Sequence, residues 1–320
     1  MKFAEYFRRE DVDARALLQQ AGVEASVLRL PEADDGSPVL DVKRMHRILD
    51  EFEAAGLPVR VIEPMAPRFE LTKLGADGRD EEIAQVTRLI ETMGERGVEV
   101  LCYNFMAAFG WLRTDSAIPA RGGAVVTGYD HETEQAKGPH PLGPIGEQEL
   151  WANLGYFLDR VLPVAEANGV RMALHPDDPP VSPIRGVSRI LTDVEALERV
   201  LSLSDSPSHC LTFCQGTITT MGADIPNAIR RLSPRTAFVH FRDIDGTAEH
   251  FVEVFHDQGK TDKAAAMRAW VDCGYDGYMR TDHVPTLHGE DNDRPGYAVL
   301  GRLHAIGYLQ GLRAAAGGER

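Results

Sequence analysis

Val170-Arg171-Met172-Ala173-Leu174-His175-Pro176-Asp177-Asp178-Pro179-Pro180 is an apolar run that stops in a histidine, two aspartates and three prolines. Proline has a fixed φ and no amide hydrogen, so neither a helix nor a regular strand continues through the second half. A buried strand that ends in ligand-type side chains is how a barrel or an open parallel sheet presents a site. A polar turn after a strand is the plainer reading. Recurrence of the pattern elsewhere in the chain decides between them.

Outward from this stretch, strand-like runs alternate with amphipathic helical segments. Strands are predicted at Lys2–Phe7, Ala25–Leu30, Val59–Ile62 and Val98–Phe105, then at Val170–His175, Cys210–Cys214, Thr236–Phe241 and Gly277–Asp282. Helical i, i+3, i+4, i+7 stripes separate them, such as Met45, Ile48, Leu49 and Phe52 before Gly56. The helix over Glu147–Ala167 turns Leu150, Leu154, Phe157, Leu158, Val161 and Leu162 inward, and Asp262 caps the helix over Thr261–Cys273. Eight strand–helix units predict a single (β/α)8 TIM-barrel domain over residues 1–320. No glycine-rich phosphate loop follows a strand, which weighs against a doubly wound nucleotide-binding sheet. The Gly- and Pro-rich stretch at about 107–146 reads as an irregular insertion: a lid, a binding loop or a disordered segment.

The composition narrows the function classes. The 320 residues carry a net charge of -15 with no basic stripe, so nucleic acid is not an expected partner. No apolar run approaches the ~20 residues that span a bilayer, and Met1–Glu10 is charged throughout, so a cytoplasmic protein is expected. The four cysteines, Cys102, Cys210, Cys214 and Cys273, form neither a CxxC pair nor a disulfide framework.

The last four strands end in His175, Cys214, His240 and Asp282. Each is a transition-metal ligand type, and barrel chemistry sits at the C-terminal strand ends. Taken singly, each has an ordinary explanation: a rim histidine, a small apolar filler, a turn-capping aspartate. Four on consecutive strand ends point to a metal site built from two histidines, a cysteine and an aspartate. Mixed N, O and S donors suit Mn, Fe, Co or Zn and not Ca or Mg, and one thiolate pulls toward Fe or Zn. Because side chains alternate along a strand, His240 shares a face with Arg242, Asp282 with Arg280, and His175 with Asp177.

At these residues the sequence resembles the mannonate dehydratase family, metal-dependent lyases of the xylose-isomerase-like TIM-barrel superfamily. The matching stretches are Cys102-Tyr103-Asn104-Phe105-Met106, His175-Pro176-Asp177-Asp178-Pro179-Pro180, Phe213-Cys214-Gln215-Gly216 and His240-Phe241-Arg242-Asp243. They continue with Asp282-His283-Val284-Pro285, Pro295-Gly296-Tyr297, Gly301-Arg302 and Gly307-Tyr308, in the family's order over about two-thirds of the chain. The resemblance implies Mn2+, with Fe2+ or Co2+ as alternatives, on His175, Cys214, His240 and Asp282. It implies catalytic roles for His283 and Tyr297, and dehydration of D-mannonate to 2-keto-3-deoxy-D-gluconate. Asn104, Arg242 and Arg280 would position the sugar acid, with His256 a weaker candidate and Asp177 facing the substrate or supporting a ligand. Members of the family are often dimers, so the resemblance also implies a homodimer as an expectation.

The chain also departs from the family pattern. Glu5-Tyr6-Phe7-Arg8 stands where the family has Arg-Trp-Tyr-Gly, Leu30-Pro31-Glu32 where it has Leu-His-His, and Thr281 where it has proline. This implies an intact metal half with an altered wall against the far part of the substrate. The leading expectation is a hydro-lyase acting on mannonate or a related aldonate. The alternatives are a metal-dependent sugar isomerase or epimerase on the same barrel, and a non-catalytic sugar-binding homologue.

Overall fold

The computed structural model describes residues 1–29, 40–63 and 69–318. Its strands, in chain order, are β1 (Lys2–Phe7), β2 (Ala25–Leu28), β3 (Val59–Ile62), β4 (Val100–Asn104), β5 (Asp115–Pro119) and β6 (Val125–Asp130). Then come β7 (Arg171–His175), β8 (His209–Cys214), β9 (Thr236–His240), β10 (Ile244–Gly246), β11 (His250–Glu253) and β12 (Tyr278–Arg280). Eight of these close into a barrel in the order β1-β12-β9-β8-β7-β4-β3-β2. Every neighbouring pair in it is parallel. The expected (β/α)8 architecture is therefore present. The family's Leu-His-His position, Leu30-Pro31-Glu32 here, lies outside the described residues.

Period-two alternation divides each barrel strand between two cores. Ala4, Val27, Val61, Cys102, Ala173, Cys210 and Phe238 point into the barrel, and small and large residues together fill it. The other faces pack under the helices, where Phe157 of the helix Glu147–Ala167 stacks on Phe69 at 5.5 Å. Aspartates start several of these helices: Asp41, Asp193, Asp224 and Asp262 each accept the amide hydrogen three residues on. Among the described residues, no helix is long and apolar enough to cross a membrane.

Two expectations are corrected. Strand β12 ends at Arg280 rather than Asp282, and Asp282 adopts φ +62°, a left-handed conformation that aspartate tolerates better than most side chains. The insertion at about 107–146 is not irregular. It carries β5, β6 and the short helix His131–Gln135, and β6 pairs antiparallel with β11 to build a second sheet in the order β10-β11-β6-β5. That pairing joins segments about 120 residues apart, such as His250 with Asp130, and buries Tyr129, Ile244 and Phe251 beneath the sheet. Local periodicity carries no trace of so distant a pairing.

Candidate active site

A cavity of about 450 Å3 opens at the C-terminal end of the barrel. This is within the ordinary range for small-ligand pockets. His175, Cys214 and His240 converge there, each offering a ligand atom within 4.8 Å of the others. Strand register explains the convergence, since Cys214 and Arg280 both lie opposite His240 across neighbouring ladders. His175 Nδ1 lies 2.6 Å from the Pro176 carbonyl oxygen. A carbonyl only accepts, so Nδ1 carries the hydrogen and Nε2 keeps its lone pair. His240 is buried, and neither of its ring nitrogens makes an aligned hydrogen bond. Its Nε2 stands 3.1 Å from Glu63 Oε1, and its Nδ1 stands 3.6 Å from Asp282 Oδ2. Unmet polar atoms in a buried ring cost about 1–3 kcal/mol each, and an ion on one nitrogen removes part of that cost.

A chain of alternating charges runs behind these ligands. Glu253 pairs with Arg113 at 2.5 Å, Arg113 with Asp178 at 2.8 Å, and Asp178 with Arg242 at 2.7 Å. Arg242 pairs with Asp282 at 2.7 Å, Asp282 with Arg280 at 2.8 Å, and Arg280 with Glu63 at 3.0 Å. Burial pushes each carboxyl up, but the guanidiniums and histidines beside them outweigh it: Glu63 and Asp178 are held at about 2, and Glu253 and Asp282 below their usual range. The chain holds four carboxylates and three guanidiniums, with the His240 and His283 rings set against it. Together with the exposed lone pair of His175, the unmet nitrogens of His240 and the Cys214 sulfur, this donor set fits a divalent cation. Glu63, Cys102 and His240 form a second group with ligand-type spacing. Burial and the neighbouring Glu63 charge push the Cys102 thiol well up, so Glu63 is better read as the carboxylate that orients His240.

His283 stands beside this cluster. Its Nδ1 is 2.8 Å from Glu253 Oε1 and its Nε2 is 3.3 Å from the Tyr297 hydroxyl. Trp111 lies against the His283 ring at 4.7 Å between centroids, and Tyr6 against Tyr297 at 5.1 Å. Burial pushes the Tyr297 phenol up, so it keeps its proton. The site thus combines a cluster of metal-ligand-type side chains, an imidazole with one nitrogen toward the cavity, and a protonated phenol next to it.

The sequence model of the D-mannonate dehydratase (UxuA) family matches residues 1–143 and 141–318. The mannonate dehydratase of Thermotoga maritima is 33% identical over 342 residues, covering 95% of this chain and 94% of that protein. The chain belongs to the D-mannonate dehydratase family. A second family member, from Streptococcus agalactiae serotype III, is 35% identical over 305 residues, 85% of this chain and 86% of that one. The crystal structure of mannonate dehydratase from Streptococcus suis serotype 2 superposes with a TM-score of 0.88 at 31% identity, over 100% of this chain and 95% of that one. L-ribulose 3-epimerase, at 15% identity and a TM-score of 0.62 over 99% of this chain and 96% of that one, shares the fold.

The structure brings most of the residues singled out in the sequence to one place. Asn104, His175, His240, Arg280, Asp282, His283 and Tyr297 line the cavity. Cys214 and Arg242 sit directly behind, with Cys214 Sγ 3.7 Å and Arg242 Nε 2.7 Å from Asp282 Oδ2. Asp177, Arg242 and His256 are corrections as substrate contacts, because none of them lines the cavity, and Arg242 is taken up by Asp178 and Asp282. Asp177 Oδ2 accepts the amide hydrogens of Ile190 and Leu191 at 2.8 and 3.0 Å, which ties down the segment after β7, and Asp178 faces the cavity in its place. His256 Nε2 donates to the Thr281 carbonyl at 2.8 Å. Burial pulls that ring down to about 4, so it braces the turn before Asp282 as a neutral group.

Three participants escaped the sequence reading. Glu63 directly follows β3, and applying the strand-end rule to that strand would have found it. Arg113 and Glu253 come from the accessory-sheet region, where no sequence signal marked them.

Proposed function

We propose that this chain removes water from a sugar acid, D-mannonate or a close aldonate relative, giving the 2-keto-3-deoxy acid. The His283–Tyr297 pair beside the ligand cluster is the observation that carries this reading, since an imidazole nitrogen and a phenol 3.3 Å apart face the same cavity. His175, Cys214, His240 and Asp282 would hold the ion, Mn2+ by the family resemblance, with Fe2+ or Co2+ as alternatives. When bound, such an ion polarises the carboxylate end of the substrate and eases the build-up of negative charge at the neighbouring carbon.

The chain's own groups do the rest. His283 Nε2 takes the proton from the carbon next to the carboxylate. The Tyr297 phenol gives its proton to the hydroxyl leaving the following carbon, so the C–H and C–O bonds break and water departs. The enol left behind tautomerises to the 2-keto-3-deoxy acid. Asn104 and Arg280 orient the substrate from the cavity wall. Incubation with D-mannonate and Mn2+ is expected to yield a 2-keto-3-deoxy acid, with neutral aldoses and ketoses unchanged. His283→Asn is expected to abolish turnover while bound metal is retained. Near-normal turnover in that variant overturns the assignment.

A further inference from the structure

We propose that Glu253 is the positioning residue of His283, and that the accessory sheet serves to bring this carboxylate to the barrel mouth. The inference rests on the reading of His283 as the group that takes the proton. Glu253 is the last residue of β11 and is buried, with 4% of its surface exposed. One oxygen, Oε1, lies 2.8 Å from His283 Nδ1. The other accepts the Thr127 hydroxyl of β6 at 2.8 Å, so two paired strands of the accessory sheet fix the carboxylate. Arg113, itself buried, holds the group from a third side at 2.5 Å. Arg242, two residues beyond barrel strand β9, adds a longer contact to Oε1 at 3.4 Å.

The consequence follows from donor and acceptor rules. Arg113 at 2.5 Å and Arg242 at 3.4 Å hold Glu253 ionised, and an ionised carboxylate only accepts. A hydrogen must therefore sit on Nδ1, and when the ring holds a single hydrogen its Nε2 lone pair is turned toward Tyr297 and the cavity. Without the carboxylate, the ring would also populate the tautomer with its hydrogen on Nε2, which cannot take a proton there. The fixed negative charge also stabilises the imidazolium once Nε2 has been protonated. A purely structural Glu253 would neutralise Arg113 and Arg242 just as well, but would have no effect on which nitrogen of His283 carries the hydrogen.

The test uses Glu253→Gln in the Mn2+-loaded enzyme with D-mannonate. The expected result is a fall in kcat of about 10²–10⁴-fold, with KM within a few-fold and bound metal unchanged. A second measurement needs no turnover: 15N NMR of histidine-labelled protein loaded with diamagnetic Zn2+, His283 being assigned by its loss in His283→Asn. The wild-type ring is expected to carry its hydrogen on Nδ1, and Glu253→Gln to shift the population toward Nε2. A wild-type ring with its hydrogen on Nε2, or a Glu253→Gln kcat within threefold of wild type, overturns the proposal. Should wild type turn over no sugar acid, the functional reading fails, and the NMR result alone decides the role of Glu253.

Discussion

Asp177 and Asp178 are adjacent, equally buried and chemically identical, yet they should respond very differently to replacement by asparagine. Asp178 accepts from Arg113 at 2.8 and 3.1 Å and from Arg242 at 2.7 Å. At an effective dielectric of about 20, one such pair is worth about 4 kcal/mol before the cost of burial is subtracted. The net value can be read from the carboxyl itself, held at about 2 against an ordinary 3.8, which corresponds to about 2 kcal/mol in the folded state. Asp178→Asn also leaves two buried guanidiniums short of a partner, so a total loss of about 3 kcal/mol at neutral pH is expected. Because the folded value is depressed, the wild-type advantage is fully present above about pH 4 and is lost as pH falls toward 2. Urea unfolding at pH 7 and again near pH 3 measures both effects. Asp177→Asn keeps an acceptor oxygen for the Ile190 and Leu191 amides and should cost less than half as much. Equal midpoints for Asp178→Asn and wild type at pH 7 would refute the charge-chain argument.

Other perturbations separate the parts of the site. Cys214→Ala removes one of three converging ligand atoms and should weaken metal binding by at least about 100-fold, measured as metal retained after gel filtration, with the barrel still folded by circular dichroism. Arg8 and Arg29 line the cavity beyond β1 and β2, which lie across the closed barrel from β7 and β8, and neither has an ion pair among the described residues. Arg8→Gln and Arg29→Gln should therefore raise KM for an anionic substrate by about 10-fold with little change in kcat, and an unchanged KM in both refutes a substrate role. A side chain at Gly216 would stand 2.9 Å from Arg242 Cγ, and Arg242 cannot swing aside because Asp178 and Asp282 pin it. Gly216→Ala should accordingly cost about 1–3 kcal/mol in stability and lower kcat, both measurable in one preparation.

The barrel and the convergence of three metal-ligand-type side chains were legible in the chain because both rest on local rules. Period-two and period-3.6 patterns mark strands and helices, and the register of a parallel barrel brings successive strand ends to one rim. His175, Cys214 and His240 needed only those rules to be brought together. Asp282 needed more, since β12 stops at Arg280 and a left-handed turn, not strand alternation, returns the carboxylate to the cluster. The assignment of Asp177 in place of Asp178 failed for a related reason: beyond the strand end the backbone follows its hydrogen bonds to Ile190 and Leu191, and alternation no longer applies.

What only the tertiary structure decided is the electrostatic surround of the catalytic groups. Arg113, Asp178, Arg242 and Glu253 come from four separate segments, and each is tolerable in the interior only because the others neutralise it. The accessory sheet that supplies Glu253 forms through antiparallel pairing of segments about 120 residues apart, such as His250 with Asp130. Sequence by itself determined the number and order of the barrel strands and placed His175, Cys214 and His240 near their ends, because side-chain period and chain order are local properties. Which nitrogen of His283 faces the cavity was decided by long-range contact, because a proton's position on an imidazole depends on the partner that folding places beside it.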